Sequence, residues 1–174
     1  GSEDGPALVL SNSLGTDLRV WDRLVARLPS GLRIIRYDTR GHGLSASPPR
    51  PWSMADLAGD LADILDALDV RDAAICGLSV GGMIAQTLAA ERLDLAGALI
   101  LCDTAAKIAT PEEWDRRIAA VEAGGVAALS GAVLERWFPP AFREGRPAEL
   151  ALWRAMLERT STAGYCGVCE AIRD

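Results

Sequence analysis

The chain has 174 residues, 49% hydrophobic and 24% charged, with a formal net charge of −6 and a pI near 4.9. This length suits one domain with a sizeable core, and the acidic balance argues against a nucleic-acid partner, whose phosphates are bound through a basic face. No apolar run approaches the roughly 18 residues of a membrane span, whereas an anionic small molecule stays open as a ligand, because one arginine in a pocket holds a carboxylate.

In chain order, Ala7–Leu10 is a buried-strand run, closed by the polar loop Ser11–Thr16 (SNSLGT). Trp21, Leu24, Val25 and Leu28 follow at helical spacing. Leu32–Tyr37 reads as the next strand and ends in the loop Asp38–Ser45 (DTRGHGLS). Ser53 then caps a helix whose apolar positions are Met54, Leu57, Leu61, Ile64, Leu65 and Leu68, with Asp56 placed for a capping box. Ala73–Cys76 is a third strand, Val80 to Glu91 a helix, and Ala98–Cys102 a fourth strand. Continuous apolar strands alternating with helices predict a parallel sheet covered by helices on both faces. Ligands of such sheets bind at the carboxyl ends of the strands.

After Asp103 the rhythm changes. Thr110-Pro-Glu-Glu113 opens a helix with a capping box and a proline at its first position, and that helix runs to Gly124. The remainder reads as further helices, broken at Pro139-Pro140 and at Gly145–Pro147. The expected division is a core over residues 1–103 and a helical cap over residues 104–174, lying over the site like a lid.

Residues 76–86 read CGLSVGGMIAQ. G-x-S-x-G between a strand and a helix is the spacing of a serine nucleophile on a strained turn. Ser79 is the candidate nucleophile, and the amide of Val80, at the helix start, is a candidate oxyanion donor. A second donor is expected from the loop after the first strand and is assigned to Leu14. The competing readings are a bare Gly-rich turn with a capping serine, or a dinucleotide loop, which would need glycine where Ser79 stands.

Together, LVLSNSLGTDLRVWD, RYDTRGHGLS, CGLSVGGMIAQ, LCDTAAKIATPEEWDRRI and LERWFPPAF resemble the 3-oxoadipate enol-lactonases of the α/β-hydrolase superfamily. The resemblance covers nearly the whole chain. It implies an α/β-hydrolase fold with a helical cap, incomplete at both ends. The implied reaction is cofactor-free opening of 3-oxoadipate enol-lactone, a step of the β-ketoadipate pathway of aromatic degradation. Ser79 is then the nucleophile, and Leu14 and Val80 supply the oxyanion amides. The family places its catalytic acid and histidine after later strands, beyond this chain, so the chain alone is expected to be inactive. Its implied partners are a lactone bearing a carboxylate and a complementary C-terminal chain or segment.

Several residues carry two readings. His42, the only histidine, is either a substitute base or a loop constraint. Asp103 is a candidate acid at a strand end, or a turn cap. Asp38 reads as a stabiliser of its own turn. The substrate's carboxylate calls for a cation; Arg117, on a face shared with Trp114, Ile118 and Val121, is the candidate, against a surface ion pair with Glu113 four residues earlier. Trp137 is read as lining the pocket or as buried at a cap hinge. Cys166 and Cys169 form a C-x-x-C without a redox βαβ context or enough zinc ligands nearby, so they read as helix-packing residues, and no metal site is expected. The N-terminus has no signal-like pattern and Cys76 and Cys102 lie in strand runs read as buried, which suits a reduced, cytoplasmic protein. A general carboxylesterase or haloperoxidase-like hydrolase, and a non-catalytic binding protein on the same scaffold, are the rival functions.

Overall fold

A computed structural model of the chain describes residues 2–174. Four strands, β1 (Ala7–Ser11), β2 (Arg33–Arg36), β3 (Ala73–Leu78) and β4 (Ala96–Cys102), form one sheet in the order β2-β1-β3-β4. Every pairing is parallel, with Val9 opposite both Ile35 and Ile75. Side chains alternate across a strand, so Val9, Ile35 and Ile75 share one face while Leu8, Leu10 and Cys76 share the other. The first face is covered by two helices, α2 (Met54–Ala67) and α3 (Val80–Glu91). Helix α2 buries Leu57, Leu61 and Leu65 as its spacing predicts, and Ser53 and Asp56 close a full capping box at its start.

The second face differs from the sequence expectation. The helical spacing from Trp21 to Leu28 yields only a 3-10 turn over Leu18–Trp21 and one α-helical turn, α1 (Asp22–Val25). Leu28 precedes Pro29, which disfavours helical backbone at the residue before it, and Leu24 is left partly exposed. Trp21 alone of these is buried, against Leu8, Leu10 and Cys76, while Val25 and Leu28 pack half-buried against the same cluster. Strand β4 also departs from its expected burial. Among the described residues it pairs only with β3, and Leu99, Ile100 and Leu101 are 37%, 47% and 46% exposed. An apolar run makes a strand, but only a neighbour on its far side buries it.

Beyond β4 the chain is helical: α4 (Pro111–Gly124), α5 (Ala127–Trp137), α6 (Pro140–Gly145), α7 (Pro147–Glu158) and α8 (Thr162–Arg173). The predicted start of α4 is present, with Thr110 and Glu113 forming a capping box and Pro111 at the first position. Trp114, Ile118 and Val121 of α4 join the same core as Tyr165, Val168 and Ile172 of α8. Cys166 and Cys169 are fully buried on α8, and the Cys166 thiol lies 3.9 Å from the Ile118 carbonyl. Burial pushes the Cys169 thiol up to about 12, which leaves it a packing group rather than a reactive one. No described helix is long and apolar enough to cross a membrane.

Candidate active site

The turn from β3 to α3 puts Ser79 at φ 56°, ψ −119°, a strained conformation for a residue with a side chain. Contacts with β4 and the residues after it help to hold it there. The Ser79 amide donates to the Cys102 carbonyl at 2.9 Å, and its carbonyl accepts from the Thr104 hydroxyl at 2.6 Å. Gly81 is required by close approach: a Cβ there would collide with the Ser11 and Asn12 carbonyls. The start of α3 therefore runs against the end of β1, bringing the loop after β1 beside the elbow.

That loop is fixed by side chains rather than by sheet hydrogen bonds. Asn12 donates to the Tyr37 carbonyl at 2.6 Å and accepts from the Trp21 indole at 2.8 Å. Thr16 closes a tight turn onto Ser13 through its amide and its hydroxyl. Asp38 does more than stabilise its own turn: it accepts from the Leu44 amide at 2.9 Å and from the Leu18 amide, just past the loop after β1, at 2.8 Å.

His42 is 2% exposed, and both ring nitrogens are engaged. Nε2 accepts from the Gly15 amide at 3.0 Å and Nδ1 donates to the Arg40 carbonyl at 3.2 Å. Burial pushes its pKa down to about 4, so it is neutral near pH 7. It lines neither cavity that reaches Ser79. The geometry therefore makes it a constraint on the loop carrying Leu14, not a base.

Two adjoining cavities open onto Ser79. The larger, about 790 Å3, is lined by Ser13, Ser79 and Asp103 from the strand ends and by Lys107, Trp137 and Trp153 from the segment after β4. The smaller, about 260 Å3, is lined by Leu14, Ser79, Trp114, Arg117, Trp137 and Tyr165. Helices α4, α5, α7 and α8 thus roof the carboxyl ends of the strands. The amides of Leu14 and Val80 have no protein acceptor among the described residues, and the Val80 amide stands at the positive end of α3.

The structure gathers Ser79, Leu14, Arg117 and Trp137 around the smaller cavity and Ser79, Asp103 and Trp137 around the larger. Asp103, at φ 42°, makes no side-chain hydrogen bond among the described residues. Arg117 does not pair with Glu113, whose carboxylate instead accepts from the Thr110 amide at 2.9 Å in the helix cap. It donates to the Tyr165 hydroxyl at 3.1 Å and lies over the Trp114 ring at 5.3 Å. Arg136, which the sequence reading passed over, lines both cavities. Its position one residue before Trp137 was the available signal.

A family model described as alpha/beta hydrolase fold matches residues 6–124. Over its full length the chain is 36% identical to 3-oxoadipate enol-lactonase 2 of Acinetobacter baylyi. It is 38% identical, over 99% of its length, to 3-oxoadipate enol-lactonase 1 of the same organism. The crystal structure of the enol-lactonase from Burkholderia xenovorans LB400 superposes with a TM-score of 0.94 at 44% identity, covering 98% of this chain and 65% of that one. The chain likewise spans 65% and 64% of the two Acinetobacter relatives.

Proposed function

The chain belongs to the α/β-hydrolase fold family, and on that premise we propose that it carries the nucleophile and oxyanion donors of a carboxylic ester hydrolase that opens 3-oxoadipate enol-lactone to 3-oxoadipate. The observation that carries the reading is Ser79, strained at φ 56°, beside two unengaged amides and at the meeting of two cavities. Strain of this kind is retained where it exposes a reactive group. The enol-lactonase relatives, similar along nearly all of this chain, support the choice of substrate.

In the proposed reaction the Ser79 hydroxyl attacks the lactone carbonyl and gives its proton to a base. The carbonyl oxygen becomes an oxyanion held by the amides of Leu14 and Val80, which are fixed in advance and need no reorganisation. The ring C–O bond breaks, the enolate oxygen leaves and takes up the proton, and an acyl-serine carrying an enol remains. Water, activated by the same base, hydrolyses that ester and restores Ser79, and the enol tautomerises, its proton moving from oxygen to carbon, to give 3-oxoadipate. His42 is unsuited to the base's role, because both its nitrogens are engaged in the loop. The reading therefore requires a histidine from polypeptide other than these residues, with Asp103 available to orient it. The reaction needs no cofactor, and we place it in the cytoplasm, in aromatic catabolism.

The test is loss of the lactone's ultraviolet absorbance on adding the intact protein, wild type and Ser79→Ala. The expected result is turnover that Ser79→Ala lowers by at least about 10⁴-fold, the scale of a lost nucleophile. Turnover of uncharged esters in preference to the lactone would replace this reading with a general carboxylesterase. Ligand binding without turnover would replace it with a binding protein.

A further inference from the structure

Five charged side chains line the two cavities at Ser79: Asp103, Lys107, Glu113, Arg117 and Arg136. Three are already engaged. Lys107 donates to the Arg173 carbonyl at 2.6 Å, Glu113 accepts from the Thr110 amide at 2.9 Å, and Arg117 donates to the Tyr165 hydroxyl at 3.1 Å while stacked on Trp114. Asp103 and Arg136 have neither a hydrogen bond nor an ion pair among the described residues. These two have opposite signs and come from different elements, Asp103 directly after β4 and Arg136 in the last turn of α5.

A cation in the last turn of a helix complements the carbonyl end of its dipole, and that accounts for an arginine at this place without any ligand. It does not account for where this one lies. The neighbouring Glu135 pairs with Arg143, leaving the Arg136 guanidinium without a carboxylate partner, and Arg136 borders both cavities together with Ser79 and Trp137. A guanidinium presents a planar fork of donors that matches a carboxylate in two parallel hydrogen bonds. Arg117 would have to give up its Tyr165 hydrogen bond to do the same, in a cavity it shares with Glu113.

We propose that Arg136 is the specificity-determining residue that holds the free carboxylate of the substrate, with Trp137 packing against its ring, and that Arg117 ties α4 to α8 instead. This rests on the hydrolase reading above and sharpens it. The site selects esters and lactones that carry a second, ionised carboxylate, and the selection is made from α5 rather than α4.

The experiment compares kcat and KM for the acidic lactone and for its methyl ester in the intact protein, wild type, Arg136→Gln, Arg136→Lys and Arg117→Gln. Arg136→Gln is expected to lower kcat/KM for the acid by about 10- to 100-fold, the size of a lost charge-assisted pair, mainly through KM. Its activity on the ester should change by less than about 3-fold, and Arg136→Lys should recover part of the loss. Arg117→Gln should leave the acid-to-ester ratio where it was. Equal losses on both substrates in Arg136→Gln, or a ratio that moves with Arg117→Gln instead, would overturn the assignment while leaving the hydrolase reading intact. A wild type that opens neither substrate would sink both. Calorimetric titration with adipate gives a readout independent of turnover: binding to the wild type that weakens about tenfold in Arg136→Gln supports the assignment, and unchanged binding refutes it.

Discussion

His42 holds the Leu14 loop with two hydrogen bonds, and both depend on its being neutral. If Nε2 were protonated it could not accept from Gly15. With the folded pKa near 4 and the ordinary value 6.5, the unfolded chain takes up a proton between those limits that the folded chain refuses. Stability from this group is therefore complete above about pH 6.5 and is lost as pH falls toward 4, by at most about 1.4 kcal/mol per pH unit. His42→Gln should destabilise by about 1–3 kcal/mol at pH 7, through a buried amide left without its acceptor. It should also remove that part of the slope. Urea midpoints of wild type and variant at pH 7 and pH 5 check both statements, and a gap between the two proteins that does not narrow at pH 5 would mean that the folded histidine is charged. At this scale the sequence could single out His42 but not assign it. The same residue type serves a base and a loop constraint, and only the positions of Gly15 and the Arg40 carbonyl separate them.

Elements with local signals were the legible ones. Helices α2 and α4 begin where Ser53 and Thr110 announce them, because a capping box is written within four residues. Thr110→Ala and Ser53→Ala should each cost about 1 kcal/mol in thermal or urea unfolding. The segment after Trp21 has helical spacing but keeps only one α-helical turn, because periodicity says nothing of how soon a helix stops, here ahead of Pro29. The division of labour proposed for Arg117 and Arg136 was illegible for a different reason: it depends on Tyr165, 48 residues beyond Arg117. Helix α8 makes a sharper case, since its docking rests on backbone contact that no periodicity encodes. A Cβ on Gly164 would run into the Gly41 backbone, whereas one on Gly131, on α5, would meet nothing within 4 Å. The same substitution should therefore have opposite signs. Gly164→Ala is expected to destabilise by at least about 2 kcal/mol through overpacking, and Gly131→Ala to stabilise by about 0.5–1 kcal/mol through helix propensity. Equal shifts in the two unfolding midpoints would show that α8 is not seated as described.

At the scale of the described sheet, its two edge strands differ in charge. On one side, edge strand β2 carries Arg33 and Arg36, and charged side chains on an edge discourage pairing with another chain. On the other side, β4 reads AGALILC without a charge, and its exposed Leu99, Ile100 and Leu101 sit beside unpaired backbone donors and acceptors. An apolar, uncharged edge of this kind is a template for strand addition. The net charge of −6 opposes association at long range, but that repulsion is screened within about 8 Å at physiological salt. Polypeptide limited to these residues is therefore expected to associate through β4, more strongly as salt rises, with strand pairing overcoming the weakened repulsion. Sedimentation velocity from 10 to 500 mM salt measures this. Ile100→Lys places a charge on the edge at a position 47% exposed, where it has little folded packing to lose, and should shift the distribution back toward monomer without moving the unfolding midpoint. Association that Ile100→Lys leaves untouched would place the sticky surface elsewhere, and a monomer at every salt concentration would refute strand addition at β4.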